Sequence, residues 1–202
     1  MSLTVIYIHG FNSSPQSIKA QQLQEYFVTQ ALAETKKYQL QIPELNHQPA
    51  VAIAQLTELV AACDGANILL IGSSLGGYYS IWLAQQYRNC HAVLINPAVY
   101  PYILLQQLLG ENENIYTGQK YQLSAQHIKQ LQALEVDAIR DPSKLLLLSQ
   151  MGDETLDYKE AVDKLAAVEQ RVTAGGSHSF ENFISVIPAV LAFAEGKDAK
   201  YL

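Results

Sequence analysis

The 202-residue sequence contains no apolar run of about 18 residues, the least that a membrane-spanning helix needs. Its opening residues, MSLTVIYIHG, lack both a basic stretch and an A-x-A site, so they are expected to form a first strand and not a secretory signal. Positive charge is scarce: 13 Lys and Arg stand against 19 Asp and Glu, for a net charge of −6. That balance excludes the basic footprint that nucleic-acid binding requires. The one adjacent basic pair, Lys36-Lys37, reads as a solvated helix end. Cysteine is nearly absent. Cys63 and Cys90 have neither CxxC nor metal-ligand spacing, which excludes a disulfide framework and a zinc site. Two reduced thiols are the ordinary state of a cytoplasmic protein, and that is the expected location. Internal repeats and low-complexity segments are missing too.

What is present is an alternation of two kinds of hydrophobic block. Residues 4–8, 38–42, 67–71, 91–95, 144–149 and 170–173 are short and almost continuously apolar, as strands buried on both faces of a parallel sheet must be. Between them, residues 16–34, 50–62, 75–87 and 157–168 carry apolar side chains at helical spacing, and residues 180–194 form a last helix. At the start of the first of these, Ser14 is the expected N-cap and Pro15 the first helical position. Strand–helix alternation of this kind predicts a doubly wound α/β fold with a mostly parallel sheet of about six strands. The whole chain, 1–202, is expected to be one domain. The interval 97–143 breaks the rhythm, because a crossover needs only about a dozen residues. Residues 98–143 are therefore expected to be an inserted lid: an apolar start (100–109), a polar, turn-rich middle (110–121) and a helical stretch (124–134).

Gly72-Ser73-Ser74-Leu75-Gly76 matches G-x-S-x-G. The pattern arises by chance roughly once in 15 chains of this length, so context decides. It follows a strand and opens a helix, which is the strand–turn–helix that a nucleophile elbow requires. A sharp turn pushes the central hydroxyl out at the carboxyl end of the sheet, and the flanking glycines avoid a Cβ collision. Ser74 is thus the candidate nucleophile; a routine serine in a βα turn is the bland alternative. In this arrangement the amide after the nucleophile, Leu75, and one after the first strand, Phe11, would form an oxyanion hole.

A serine nucleophile needs a histidine base and a carboxylate to orient it, here in the order Ser, acid, His. His9 and His47 precede the serine. His91 opens a strand at the wrong end, and His127 lies in the insertion. His178, after the last strand and Gly175-Gly176, is the candidate base. Asp153 follows the fifth strand, with Glu154 and Asp157 as competitors; Asp157 also suits the N-cap of the next helix. His9 suits a structural role in its loop better than that of a base.

HGFNSS, GSSLGGYY, NPAV, GENENIYTGQKY, GDETLDY and GGSHSF, spread over about residues 5–193, resemble the bacterial YqiA-type esterases. The resemblance implies an α/β-hydrolase fold and a serine esterase acting on carboxylic esters, acyl-CoA thioesters included, through an acyl-enzyme intermediate. It carries the triad onto Ser74, Asp153 and His178, and implies no metal and no cofactor. Small acyl esters or thioesters are the expected partners; oligomeric state is left open. Tyr100, Tyr102, Tyr116 and Tyr121 of the insertion are candidate pocket residues, with ordinary aromatic packing as the alternative. The rival functions are an acyltransferase or C–C hydrolase with the same triad, or a hydrolase fold kept as a binding module. The polar tail, residues 196–202, is expected to be frayed and uninvolved.

Overall fold

The computed structural model describes residues 3–30, 37–63 and 65–196. Residues 31–34 of the first expected helix, Lys36 of the basic pair, and the tail beyond Gly196 lie outside them.

Six strands form one parallel sheet: β1 (Leu3–Ile8), β2 (Tyr38–Gln41), β3 (Asn67–Ser73), β4 (Cys90–Ile95), β7 (Leu145–Gln150) and β8 (Glu169–Thr173), in the order β2-β1-β3-β4-β7-β8. The strands that read as continuous apolar runs do so because both faces are covered. Successive residues alternate between two cores. Ile6, Leu70 and Leu147 face one, under α2 (Pro49–Ala61), α3 (Leu75–Gln86) and α6 (Tyr158–Lys164). Val5, Ile71 and Leu148 face the other, under α1 (Ile18–Gln30) and α7 (Phe183–Ala194). This is the doubly wound α/β fold expected from the sequence.

Local chemistry sets the helix starts. Proline occupies the first turn of α2, where its missing N–H costs nothing. Asp157 caps α6 by accepting the Lys159 N–H at 3.0 Å. At α1 the expectation fails by one turn. Ser14 Oγ accepts the Gln16 N–H at 3.0 Å and its carbonyl the Ser17 N–H at 3.1 Å, so Ser14 closes a turn before the helix begins. The last helix likewise starts at Phe183, after a turn through 177–182.

Between β4 and β7 the segment expected to be an insertion supplies helices α4 (Pro101–Gln106) and α5 (Ala125–Gln132). The polar middle is not merely turns. It pairs as an antiparallel hairpin, β5 (Gly110–Glu113) with β6 (Lys120–Leu123). Strand register aligns the carboxyl ends of the sheet: Ile8 pairs with Gly72, Ser73 with Ile95, Ile95 with Leu148, and Gln150 with Thr173. Loops leaving β1, β3, β4, β7 and β8 therefore emerge along one edge.

Candidate active site

Only Ser74 separates β3 from α3, and its backbone lies at φ 54°, ψ −120°. A non-glycine residue there costs about 1–3 kcal/mol and persists only where its surroundings over-determine it. They do. The Ser74 N–H donates to the Ile95 carbonyl at 3.1 Å, and its carbonyl accepts the N–H groups of Gly77 and Ala98 at 2.9 and 3.0 Å. Glycine is needed on both sides for different reasons. A Cβ on Gly72 would strike the Gly76 carbonyl across the turn, whereas one on Gly76 would strike the carbonyls of Ile8 and His9 at the end of β1. The elbow is thereby pressed against the loop after β1. Ser73 is buried, while Ser74 is partly exposed and its hydroxyl makes no hydrogen bond among the described residues.

Two further loops meet next to each other. Gly152 N–H donates to the Gly175 carbonyl at 2.8 Å, and a Cβ on Gly152 would enter the Gly175–Gly176 backbone. His178 Nδ1 lies 2.8 Å from Asp153 Oδ2, whose side chain is 2% exposed. A carboxylate only accepts, so Nδ1 carries a proton, and it is in the neutral form of the ring that Nε2 is the acceptor. Asp153 Oδ1 accepts the Thr155 and Leu156 N–H groups at 2.9 and 2.8 Å. Burial pulls the Asp153 carboxyl upward. The hydrogen bonds from His178, Leu156 and Thr155 and the charge of His178 outweigh it and hold the group below its ordinary range. Glu154 takes a different part: its Oε2 accepts the His178 backbone N–H at 3.0 Å, and that bond holds its own carboxyl low. Asp157 is committed to its cap.

On the other side of Ser74, Leu75 is the first residue of α3 and its N–H has no partner one turn back. The Phe11 N–H donates to no protein acceptor among the described residues. The Phe11 amide belongs to the same peptide unit as the Gly10 carbonyl, which accepts from His9 Nδ1 at 3.0 Å. His9 Nε2 in turn accepts the Leu45 N–H at 3.3 Å. One ring that donates at Nδ1 and accepts at Nε2 must be neutral, and burial lowers its pKa accordingly. His9 is fully occupied in holding this loop.

The remaining histidines are elsewhere. His91 stands near the start of β4 against Phe193, and His127 Nδ1 accepts the Ser124 N–H at the start of α5. His47 stacks on Tyr121 with ring centroids 4.3 Å apart.

The four insertion tyrosines do not form one wall. Tyr121 lines a small polar cleft together with Phe11, Leu75, His47 and Tyr79. Tyr100 lines a separate cleft of about 200 Å³, between Ala98, Val99 and Leu104 on one side and Leu156 on the other. Tyr102 turns away, donating to Glu135 Oε2 at 2.8 Å, and Tyr116 is exposed near the hairpin tip.

Sequence reasoning missed three residues that hold the site. Asn96, at φ 41° just past β4, donates from Nδ2 to the carbonyls of Ser177 (2.9 Å) and His178 (3.3 Å). Its Oδ1 accepts from Gln150 N–H (2.9 Å) and the Ser149 hydroxyl (3.4 Å). Gln150 Oε1 accepts the Ser177 and Glu181 N–H groups, and its Nε2 donates to the Glu181 carbonyl. Lys19 Nζ donates to the Ser179 carbonyl at 2.9 Å; burial lowers this ammonium to about 8, against the opposing charge of Asp153. The signal for the first two was a polar side chain at the end of an otherwise apolar strand. Among the described residues, no group of three or more His, Cys, Asp or Glu is arranged to hold a metal ion, and no helix is long and apolar enough to cross a membrane.

Comparison with solved structures finds the same fold. A putative hydrolase from Agrobacterium vitis S4 aligns over 96% of this chain and 88% of its own, with a TM-score of 0.74 at 18% identity. Est1E from Butyrivibrio proteoclasticus, solved with ferulic acid bound, aligns over 97% and 88%, with a TM-score of 0.71 at 16% identity. The mouse alpha/beta hydrolase domain-containing protein 10 gives 0.68 at 16% identity, over 95% and 88%. Residues 4–195 match the model of the family described as "Uncharacterised protein family (UPF0227)". The chain is an α/β-hydrolase-fold protein and belongs to UPF0227, the YqiA-like family.

Proposed function

We propose that this protein is a cytoplasmic serine esterase that hydrolyses carboxylic esters, acyl-CoA thioesters included, with Ser74, His178 and Asp153 as its triad. The observation that carries the reading is the 2.8 Å pair between His178 Nδ1 and Asp153 Oδ2, on loops that share a sheet edge with a strained Ser74. Fold alone would not carry it, because one fold hosts many activities. The esterase and hydrolase names of the structural neighbours lend it support.

His178 Nε2 takes the Ser74 proton as Oγ attacks the acyl carbonyl carbon. The carbonyl oxygen becomes an oxyanion facing the N–H groups of Phe11 and Leu75, donors already in place before charge develops. Collapse breaks the bond to the leaving alkoxide or thiolate, which receives the proton from His178. Water then attacks the acyl-enzyme, giving its proton to His178, and the second collapse releases the acid and returns the proton to Ser74. Asp153 keeps the imidazole in the required tautomer and stabilises it when cationic. Residues 98–143 act as the lid over this edge, with Tyr100 beside the larger cleft on the acyl path.

The test is turnover of p-nitrophenyl esters of graded acyl length beside the matching acyl-CoA thioesters. Ser74→Ala is expected to lower kcat by on the order of 10⁴–10⁶ with the fold intact. Near-full activity in that variant would remove the assignment. Product analysis with added alcohols distinguishes hydrolysis from acyl transfer.

A further inference from the structure

The segment GENENIYTGQKY, residues 110–121, has no part in the triad, yet its polar side chains converge on the loop after β1. The Tyr121 hydroxyl donates to Asn12 Oδ1 at 2.5 Å, 109 residues away in the chain. Asn114 Nδ2 donates to the Ser13 carbonyl at 2.8 Å, and the Ile115 N–H to the Asn12 carbonyl at 3.3 Å. Asn114 also closes the hairpin, its Oδ1 accepting the N–H groups of Tyr116 and Thr117 at 2.9 and 3.1 Å. One side chain thus shapes the hairpin tip and ties it to the loop.

The tethered residue is not an arbitrary one. Asn12 lies at φ 51° and directly follows Phe11. Asparagine is one of the few non-glycine residues that take up this left-handed backbone readily, and its hydrogen bonds to the hairpin hold it there. The peptide before Phe11 is fixed from one side by His9, through the Gly10 carbonyl. The hairpin fixes the chain from the other side. Tyr121 also meets the Phe11 ring edge-on, with centroids 6.5 Å apart, and is itself clamped by the stacked His47. Burial raises its phenol to about 12, so it remains a donor throughout the neutral range.

We propose that Tyr121 is a positioning residue for the oxyanion hole, locking Asn12 and hence the Phe11 N–H, so that the hairpin is a fixed buttress and not a moving flap. The proposal rests on the esterase reading above and gives the insertion a part in transition-state stabilisation. A donor displaced from the developing oxyanion loses stabilisation that substrate binding does not sense.

Tyr121→Phe removes one oxygen and keeps the ring. With a short p-nitrophenyl ester, kcat should fall about tenfold, less than the 10²–10³ for losing a donor outright. KM should change by less than about threefold, since the ground-state carbonyl depends little on the hole. A boronic acid, which adds to Ser74 as a tetrahedral anion, should bind about tenfold more weakly. Asn12→Gly keeps the left-handed backbone but removes this tether together with the 3.4 Å bond from Asn12 Nδ2 to Asn112 Oδ1, so it should show the same pattern with a loss at least as large; it replaces Tyr121→Phe should that variant fail to fold. The double variant should be no worse than the poorer single one, as expected for two ends of one bond. A folded variant with kcat within twofold of wild type overturns the proposal. So does a loss confined to KM with boronate affinity unchanged, which would make Tyr121 a substrate contact. Ser74→Ala is assayed in parallel. Activity surviving in Ser74→Ala sinks the esterase reading itself, whereas an inactive Ser74→Ala beside a fully active Tyr121→Phe sinks the hairpin proposal alone.

Discussion

The loops that carry His178 and Phe11 leave the same sheet edge on either side of Ser74, and they are held by different parts of the molecule. The His178 loop is gripped mainly by the strand ends: Asn96 past β4 holds the carbonyls of Ser177 and His178, and Gln150 at the end of β7 holds the amides of Ser177 and Glu181. The Phe11 loop has His9, just past β1, but its other side-chain tethers, Tyr121, Asn112 and Asn114, come from the hairpin of β5 and β6. The proposed acid–base half is thus built into the sheet edge, and the proposed oxyanion half is shared with the insertion. On the proposal above, sequence change in the insertion would alter oxyanion stabilisation without disturbing the His178–Asp153 pair.

The most damaging break on the acid–base side is His178→Ala, expected to lower kcat by on the order of 10⁴–10⁶ in steady-state ester hydrolysis. Asp153→Asn should cost less, on the order of 10³–10⁴, by permitting the wrong tautomer. The same variant has a signature in stability. The folded Asp153 pKa is depressed, so its contribution is complete above the ordinary 3.8 and is lost as pH falls from there through the folded value. Urea midpoints measured from pH 5 down to pH 2 should drop more steeply for wild type than for Asp153→Asn below about pH 4; parallel curves over that range would contradict the assigned environment.

Asn96→Gly tolerates the positive φ but deletes the strand-end clamp. It should destabilise the fold by about 2–3 kcal/mol in denaturant unfolding and lower kcat by about tenfold. Because Asn96 and Tyr121 serve different loops with no shared partner, their effects on log kcat should add. Marked non-additivity would mean that the two halves form one unit. Least affected is Glu154→Ala, expected to keep kcat within about tenfold, because Glu154 touches only the backbone of His178. A loss there as large as that of Asp153→Asn would exchange their roles.

The strand–helix alternation was legible because burial on both faces leaves continuous apolar runs such as residues 67–71, and the elbow because a strained turn demands glycine at set spacings. Asp153 and His178 were singled out by their place after β7 and β8, a statement about sheet edges that chain order alone permits. The hairpin was not legible. Residues 110–121 alternate weakly, and the pairing of Glu111 with Gln122 buries little. Ser14 misled because the hydroxyl that caps a helix also closes a turn.

By itself, then, the sequence determined the sheet, the elbow and the chain order of the candidate acid and base, since periodicity and glycine spacing are local constraints written residue by residue. Only the tertiary structure decided what holds them. Asn96 against Ser177, Gln150 against Glu181 and Tyr121 against Asn12 are hydrogen bonds between residues 31 to 109 positions apart. Their directions depend on how strands and insertion come together in space, and linear spacing carries no trace of that.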